Sequence, residues 1–447
     1  MRTWRNIAVS LALLLVSLGA KAQDTLTLAQ AIELALAHEH GILIARNTAA
    51  IAERQATAGN AGLLPRVDAS GRGTYSNQYS KLDFAEGIPD VERDGVENTA
   101  LNGQLGLTYT LFNGMGNVAA LERSQINAQL ADIGTRAQVE GTLSQVIALY
   151  YAIAALDEDV RITQRILEIS NDRYARQQGK ALLGGVGRLD VLNAQVDLQA
   201  DSTTHILAVQ RRERTARDLN VLLGRTPDAD VLVSRNINYM QGLSQEQLVQ
   251  EAMQGNVQLS AATAQVRAAE VDRRVASSLR WPRLDLNAAY GLSDQKNEVG
   301  IVLGTYTQGF NGGLTLSVPI FDGGRINTQT ETARLRAENA AIAEQQARLQ
   351  VERDVRNSFT TWRSQREVLR IQREAVATAL LNFERTRELF QSGQLTGLQF
   401  RQAQLDLADA ERRAVVSGFD TKVAELQLLR ASGGLLQALG VPADGVR

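Results

Sequence analysis

The chain has no cysteine, only 6 prolines, and aromatic side chains at 5% of its 447 residues. Without cysteine, disulfides, thiolate metal sites and a Cys nucleophile are all excluded. Of the 3 histidines, His38 and His40 stand two apart near a predicted helix end and do not share a helical face. They read as a solvated pair rather than metal ligands, and His205 stands alone. Gly179-Lys180-Ala181 lacks the upstream Gly and the following Ser/Thr of a phosphate loop. No nucleophile–base arrangement is found, so neither a cofactor, a metal nor an enzymatic activity is expected. Long apolar runs are also missing. After Leu18 none approaches 18 consecutive residues, so no helix is predicted to cross a bilayer. Membrane insertion of the mature protein would have to use strands. Finally, there is no excess of positive charge. The formal net charge is −2, which argues against a nucleic-acid partner.

What is present begins at the N-terminus. Arg2 and Arg5 precede an apolar run from Ile7 to Leu18, and Ala20-Lys21-Ala22 follows. This is the pattern of a secretory signal peptide over 1–22, giving an exported chain that starts at Gln23. Cleavage would remove Arg2, Arg5 and Lys21 and leave a net charge of −5.

The rest is written twice. Leu26-Thr-Leu-Ala-Gln-Ala-Ile leads to Leu63-Leu64-Pro65-Arg66-Val67-Asp68. Leu243-Ser-Gln-Glu-Gln-Leu-Val leads to Arg280-Trp281-Pro282-Arg283-Leu284-Asp285, at an offset of 217. Leu111-Phe112-Asn113-Gly114 then matches Ile320-Phe321-Asp322-Gly323 at an offset of 209, and Ala194–Leu198 matches Ala403–Leu407 at the same offset. The change of eight is assigned to loops of different length at Lys81–Asn98 and Gln295–Gln308. A repeat of about 200 residues is too long for a solenoid. The expected organisation is a first repeat over 23–236 with a hairpin at 65–113, a second over 237–440 with a hairpin at 282–322, and a tail at 441–447.

Each hairpin alternates apolar and polar residues. Val67, Ala69 and Gly71 oppose Asp68, Ser70 and Arg72. Leu105, Leu107, Tyr109 and Leu111 oppose Gln104, Gly106, Thr108 and Thr110. Leu284, Leu286, Ala288 and Tyr290 oppose Asp285, Asn287, Ala289 and Gly291, and Leu314, Leu316, Val318 and Ile320 oppose Thr315, Ser317 and Pro319. Period two over about ten residues describes a strand with one oily and one wet face. Lipid-facing positions are expected at Leu107, Tyr109, Leu286, Tyr290, Leu316 and Val318. Pro65 and Pro282 suit the change from helix to strand, because the residue before proline disfavours helix.

From Asn117 to about Gln178, and from about Arg325 to Gln391, proline is absent and glycine scarce. About 60 helical residues make a rod of roughly 90–100 Å. Apolar steps such as Val146, Leu149, Ile153, Leu156, Val160, Ile166 and Ile169 supply a narrow seam for neighbouring helices. Four strands cannot close a membrane barrel, since the smallest have about eight. An open edge in lipid leaves backbone groups unsatisfied. The barrel must therefore be shared among copies: two give eight strands, and three give twelve and room for a passage.

In the order and duplication of Leu28-x-x-Ala31-Ile32-x-x-Ala35-Leu36, Leu63–Asp68, Leu111–Gly114, Ile320–Gly323 and Leu189-Asp190-Val191-Leu192-Asn193-Ala194-Gln195, the chain resembles the TolC-like outer-membrane efflux proteins. The resemblance implies a mainly α protein with a small β part: a duplicated long-helix coiled-coil tunnel in the periplasm, plus four strands contributing to a trimeric twelve-stranded transmembrane barrel. It implies a homotrimer in outer-membrane lipid, docked on a periplasmic adaptor protein and an inner-membrane pump, for tripartite efflux or type I secretion. It places adaptor-docking turns at Gly184-Gly185-Val186 and Gly393-Gln394-Leu395. The periplasmic entrance falls at Asp190, Asn193, Gln399 and Gln402. Glutamines occupy the second-repeat positions where the family often has acids. That departure weighs against an acidic, cation-binding constriction and against a salt-bridge latch built there. Asp190 is alternatively a helix N-terminal charge favoured by the macrodipole.

A soluble periplasmic coiled-coil adaptor or scaffold would share the leader and the long helices but has no use for two duplicated apolar-faced hairpins. A secreted enzyme would need converging acids, bases or metal ligands.

Overall fold

The structure, a computed structural model, describes residues 25–84, 87, 89–300 and 302–441. The signal peptide expected at 1–22 and all but the first residue of the tail expected at 441–447 lie outside them.

The element order repeats. Helices α1 (Leu28–His38) and α2 (His40–Gln55) lead into strands β1 (Arg66–Leu82) and β2 (Val91–Phe112), then α3 (Gly116–Leu182) and α4 (Arg188–Leu222). The second series is α5 (Gln245–Gly255), α6 (Val257–Ser278), β3 (Arg283–Asn297), β4 (Gly304–Ser317), α7 (Arg325–Gln391) and α8 (Gly397–Ala431), with a short α9 (Leu435–Ala438). α1 and α5 coincide residue for residue at the 217 offset, and α3 with α7 and α4 with α8 at 209. α3 and α7 are each 67 residues long. α3 runs four residues beyond the expected Gln178.

Local chemistry explains the ends. Thr27 and Gln30 form a capping box at α1. The Glu39 carboxylate accepts from the N–H groups of Gly41 and Ile42 at 2.9 and 2.7 Å. Asn256, its counterpart, accepts from Gln258 N–H at 2.8 Å. Each satisfies donors that a helix start leaves without partners.

Two compact units emerge. One comprises the residues up to Arg46, Thr135–Gln258 and those from Arg348 on; the other comprises Asn47–Gly134 and Leu259–Ala347. The first is built around Ala31, Ile42, Leu143, Ile147, Tyr150, Leu219, Leu429 and Leu435, all buried. Tyr150 accepts from Ser234 N–H and donates to the Leu26 carbonyl, beside an isolated parallel bridge between Leu26 and Val233. Within α3 the buried apolar side chains include Leu143, Val146, Ile147, Tyr150, Ile153, Ile162 and Ile166. The expected seam residues Leu149, Leu156, Val160 and Ile169 are only half-buried. One α3 window is apolar enough to span a bilayer by length and composition, but 56% of it is buried within the protein. That burial accounts for its hydrophobicity.

The second unit holds the sheet, a meander in the order β1-β2-β3-β4 with every pair antiparallel. Below it, Ala119, Ile126, Ala268 and Val271 pack α3 on α6. The connections at 83–90 and 298–303 are similar in length, so the unequal hairpins arise from longer first-repeat strands rather than from the long loop expected at Lys81–Asn98.

Candidate functional site

Register turns the alternation into two faces. Val67 pairs with Leu107, Leu107 with Ala288, and Ala288 with Gly312. The next row is Ala69, Leu105, Tyr290 and Phe310, and on the other side stand Tyr109, Leu286 and Leu314. Because paired residues share a face, these rows form one apolar surface. Leu105, Tyr290, Phe310, Leu314 and Leu316 are all more than half exposed in the single chain. The intervening rows hold Ser70, Gln104, Gly291 and Gly309, then Arg72, Asn102, Ser293 and Thr307. On β3 the apolar positions run from Leu284 to Leu292, about 27 Å at 3.4 Å per residue. For a tilt of about 40° they rise about 20 Å, close to the roughly 25 Å band of outer-membrane barrels.

Two expected positions change. Val318 is not in a strand, because β4 ends at Ser317 paired with Arg283. The next pair would be Val318 with Pro282, which has no N–H, and Pro319 follows; the ladder stops for want of donors. The hairpin expected to reach 322 therefore ends at 317. On β2 the register shifts between Thr110 and Phe112, so Leu111 is the bulged residue and Phe112 joins Leu284 on the apolar face. A bulge re-aims side chains in this way.

The turn glycines occupy matching places. Gly184 has φ +74° and Gly393 φ +80°. Gly185 N–H donates to Lys180 C=O at 2.8 Å and Gly184 N–H to Ala181 C=O at 3.1 Å. Gln394 to Leu389 and Gly393 to Phe390 repeat the pattern at 2.9 and 3.1 Å. Both are Schellman closures, for which a left-handed residue is needed. Nothing lies within 4 Å of where a Cβ would stand at either glycine. Conformation, not space, demands glycine here. Leu182 and Leu183 beside the first turn are nearly 90% exposed.

Asp190 and Asn193 are exposed on the first turns of α4, which has no side-chain cap at Gly187. Gln399 is taken up by a capping box: Thr396 N–H donates to its side-chain oxygen at 3.0 Å, and Gln399 N–H donates back to Thr396 Oγ1 at 3.3 Å. Gln402 Nε2 donates to Asp406 Oδ1 at 2.8 Å.

The charged contact that the sequence did not disclose lies one residue before Gln402. Arg401 on α8 grips Asp201 on α4 with two hydrogen bonds, 2.7 and 2.8 Å, and both side chains are about nine-tenths buried. Ser170 on α3 donates to Asp201, and Arg173 pairs with Asp197. No spacing within one segment could reveal it, since its members are about 30 and 200 residues apart. Among the described residues no group of three or more His, Asp or Glu is placed to hold a metal ion.

A profile of the outer membrane efflux protein family matches residues 31–225 and 248–435, most of the chain in two segments. The chain belongs to the outer membrane efflux protein family. Curated relatives include the outer membrane protein TolC of Escherichia coli (strain K12), 22% identical and covering 83% of this chain and 75% of TolC. Protein CyaE of Bordetella pertussis is 24% identical, covering 92% of this chain and 85% of its own length. Among solved structures, the Campylobacter jejuni CmeC outer membrane channel superposes with a TM-score of 0.77 over 91% of this chain and 86% of CmeC, at 16% identity. Members of the outer membrane efflux protein family are passive, trimeric channels in the outer membrane, with a helical tunnel extending into the periplasm. They work with periplasmic adaptors and inner-membrane pumps in tripartite efflux and secretion systems.

Proposed function

We propose that this chain forms a passive exit duct for small toxic compounds or polypeptides, with no catalysis of its own. The observation that carries the reading is the two-faced sheet with unpaired edges at β1 and β4. In lipid those edges must be satisfied, and four strands are too few to meet one another. Three copies give twelve strands, with Leu107, Tyr109, Leu286, Tyr290 and Leu316 turned to lipid and the polar rows to the lumen.

The tight turns at Gly184-Gly185-Val186 and Gly393-Gln394-Leu395 are the proposed adaptor-docking sites. Their glycines allow close backbone approach, and two per chain give six per trimer, suited to a sixfold partner. Asp190, Asn193, Gln399 and Gln402 are the proposed lining of the entrance.

The test is fractionation followed by imaging. The protein should pellet with outer membranes, require detergent, and give particles of threefold symmetry. Recovery as a monomer from the aqueous periplasmic extract would instead establish the soluble scaffold.

A further inference from the structure

Charges on the polar face of the sheet are few, and most are neutralised beside themselves. Arg66 pairs with Asp68 at 2.9 Å, and Arg283 pairs with Asp285 at 2.7 Å. These are the same ion pair in the two repeats, two residues apart on one strand. Arg72 differs. It has no hydrogen-bond or ion-pair partner among the described residues, and its row holds Asn102, Ser293 and Thr307. The rows on either side are Ser70, Gln104, Gly291, Gly309 and Thr74, Ala100, Gln295, Thr305, which carry no charge. Asp68 is four residues back along β1, about 14 Å at 3.4 Å per residue. That exceeds a Debye length of about 8 Å at physiological ionic strength.

Closing the barrel cannot neutralise it either. The free edge of β1 must receive β4 of a neighbouring copy, and β4, Gly-Thr-Tyr-Thr-Gln-Gly-Phe-Asn-Gly-Gly-Leu-Thr-Leu-Ser, contains no charged residue in any register. The second-repeat counterpart of Arg72 is Ala289. The trimer therefore carries one such guanidinium per copy, at one level, amid amide and hydroxyl donors. Together these residues line a concave polar patch.

We propose that Arg72 gives the barrel lumen a preference for anions, drawing negatively charged solutes through the Arg72–Asn102–Ser293–Thr307 row. A low-dielectric wall focuses the field of three like charges into the water between them, raising local anion concentration and lowering that of cations. The inference rests on the channel reading of the sheet.

The absence of cysteine makes a clean test. A Thr307→Cys trimer in outer-membrane vesicles is treated with an anionic (sulfonatoethyl) or a cationic (trimethylammonioethyl) methanethiosulfonate, and the ratio of rates is measured. With Arg72 the anionic reagent should react faster. Arg72→Gln should lower the ratio roughly fivefold at low salt, as a local potential near one kT predicts. Arg72→Glu should invert it, and about 1 M salt, with a Debye length near 3 Å, should erase the difference. A thiol at Thr315, far along β4, should show no dependence on Arg72. Equal ratios in all three backgrounds, with SDS-resistant trimers intact, would overturn the proposal. Should Arg72→Glu fail to assemble, Arg72→Gln decides alone. If Thr307→Cys reacts with neither reagent while Leu314→Cys labels with a lipid-soluble maleimide, Arg72 is not reached from the lumen and the proposal falls. If Thr307→Cys labels with the lipid-soluble reagent and Leu314→Cys with the charged ones, the faces are reversed and the channel reading falls with it.

Discussion

At the scale of single residues, five positions have effects large enough to measure. Gly184 and Gly393 sit at φ +74° and +80° in open space. Alanine at either should cost about 1–2 kcal/mol through backbone conformation alone, seen as a lower midpoint for heat dissociation of the SDS-resistant trimer. Asparagine should cost less, because it tolerates the left-handed region. Arg401 and Asp201 form a buried pair, so Arg401→Ala should cost about 3–5 kcal/mol by stranding the carboxylate. Adding Asp201→Ala should recover part of that loss, and a double-mutant cycle showing no coupling would contradict the observed contact. Glu140, paired with Arg136 at 2.9 Å, is 3% exposed, and burial raises its pKa above the ordinary carboxylate value despite that arginine. A raised acid binds more protons in the folded state, so its contribution to stability is fullest below the unfolded pKa and is lost as pH rises through the folded one. Glu140→Gln should flatten the stability–pH profile in the window that opens at the ordinary carboxylate value of 4.5, read by the dissociation midpoint of the trimer.

At the scale of elements, the sheet makes the sharpest statement. Leu316, one of the expected lipid-facing positions, pairs with Leu284 one row from the end of the ladder. Tyr290 lies mid-ladder, two residues from the centre of the apolar run, beside Leu105 and Phe310. Tyr290→Arg should therefore cost about 2–4 kcal/mol of membrane assembly, and Leu316→Asp less. Thr315→Asp, on the polar face, should be milder still. The yield of heat-modifiable trimer measures all three, and equal damage at Thr315 and Tyr290 would contradict the faces. The alternation was readable because strand period is local. The bulge at Leu111 and the stop at Ser317 were not, since each depends on what stands across the ladder: Asp285 and Leu284 in one case, Pro282 in the other.

At the scale of the whole molecule, a single copy leaves much apolar surface uncovered. On α7, Leu335, Ile342 and Leu349 recur every seven residues and are all exposed in the isolated chain. A heptad seam of this kind asks for another helix, and members of this family are trimers. Ile342→Glu should reduce recovery of trimer by gel filtration in detergent while leaving the far-UV signal of helix content unchanged.

The sequence by itself determined the duplication, the helix–strand order, the two faces of each strand and the glycine closures. All of these are written in neighbouring residues, through period, propensity and proline or glycine chemistry. Only the tertiary structure decided which rows align, which acid Arg401 meets, and that Arg72 stands in an uncharged row. Those outcomes depend chiefly on groups tens to hundreds of residues apart. They are set by packing and hydrogen-bond register across elements, which no local pattern encodes.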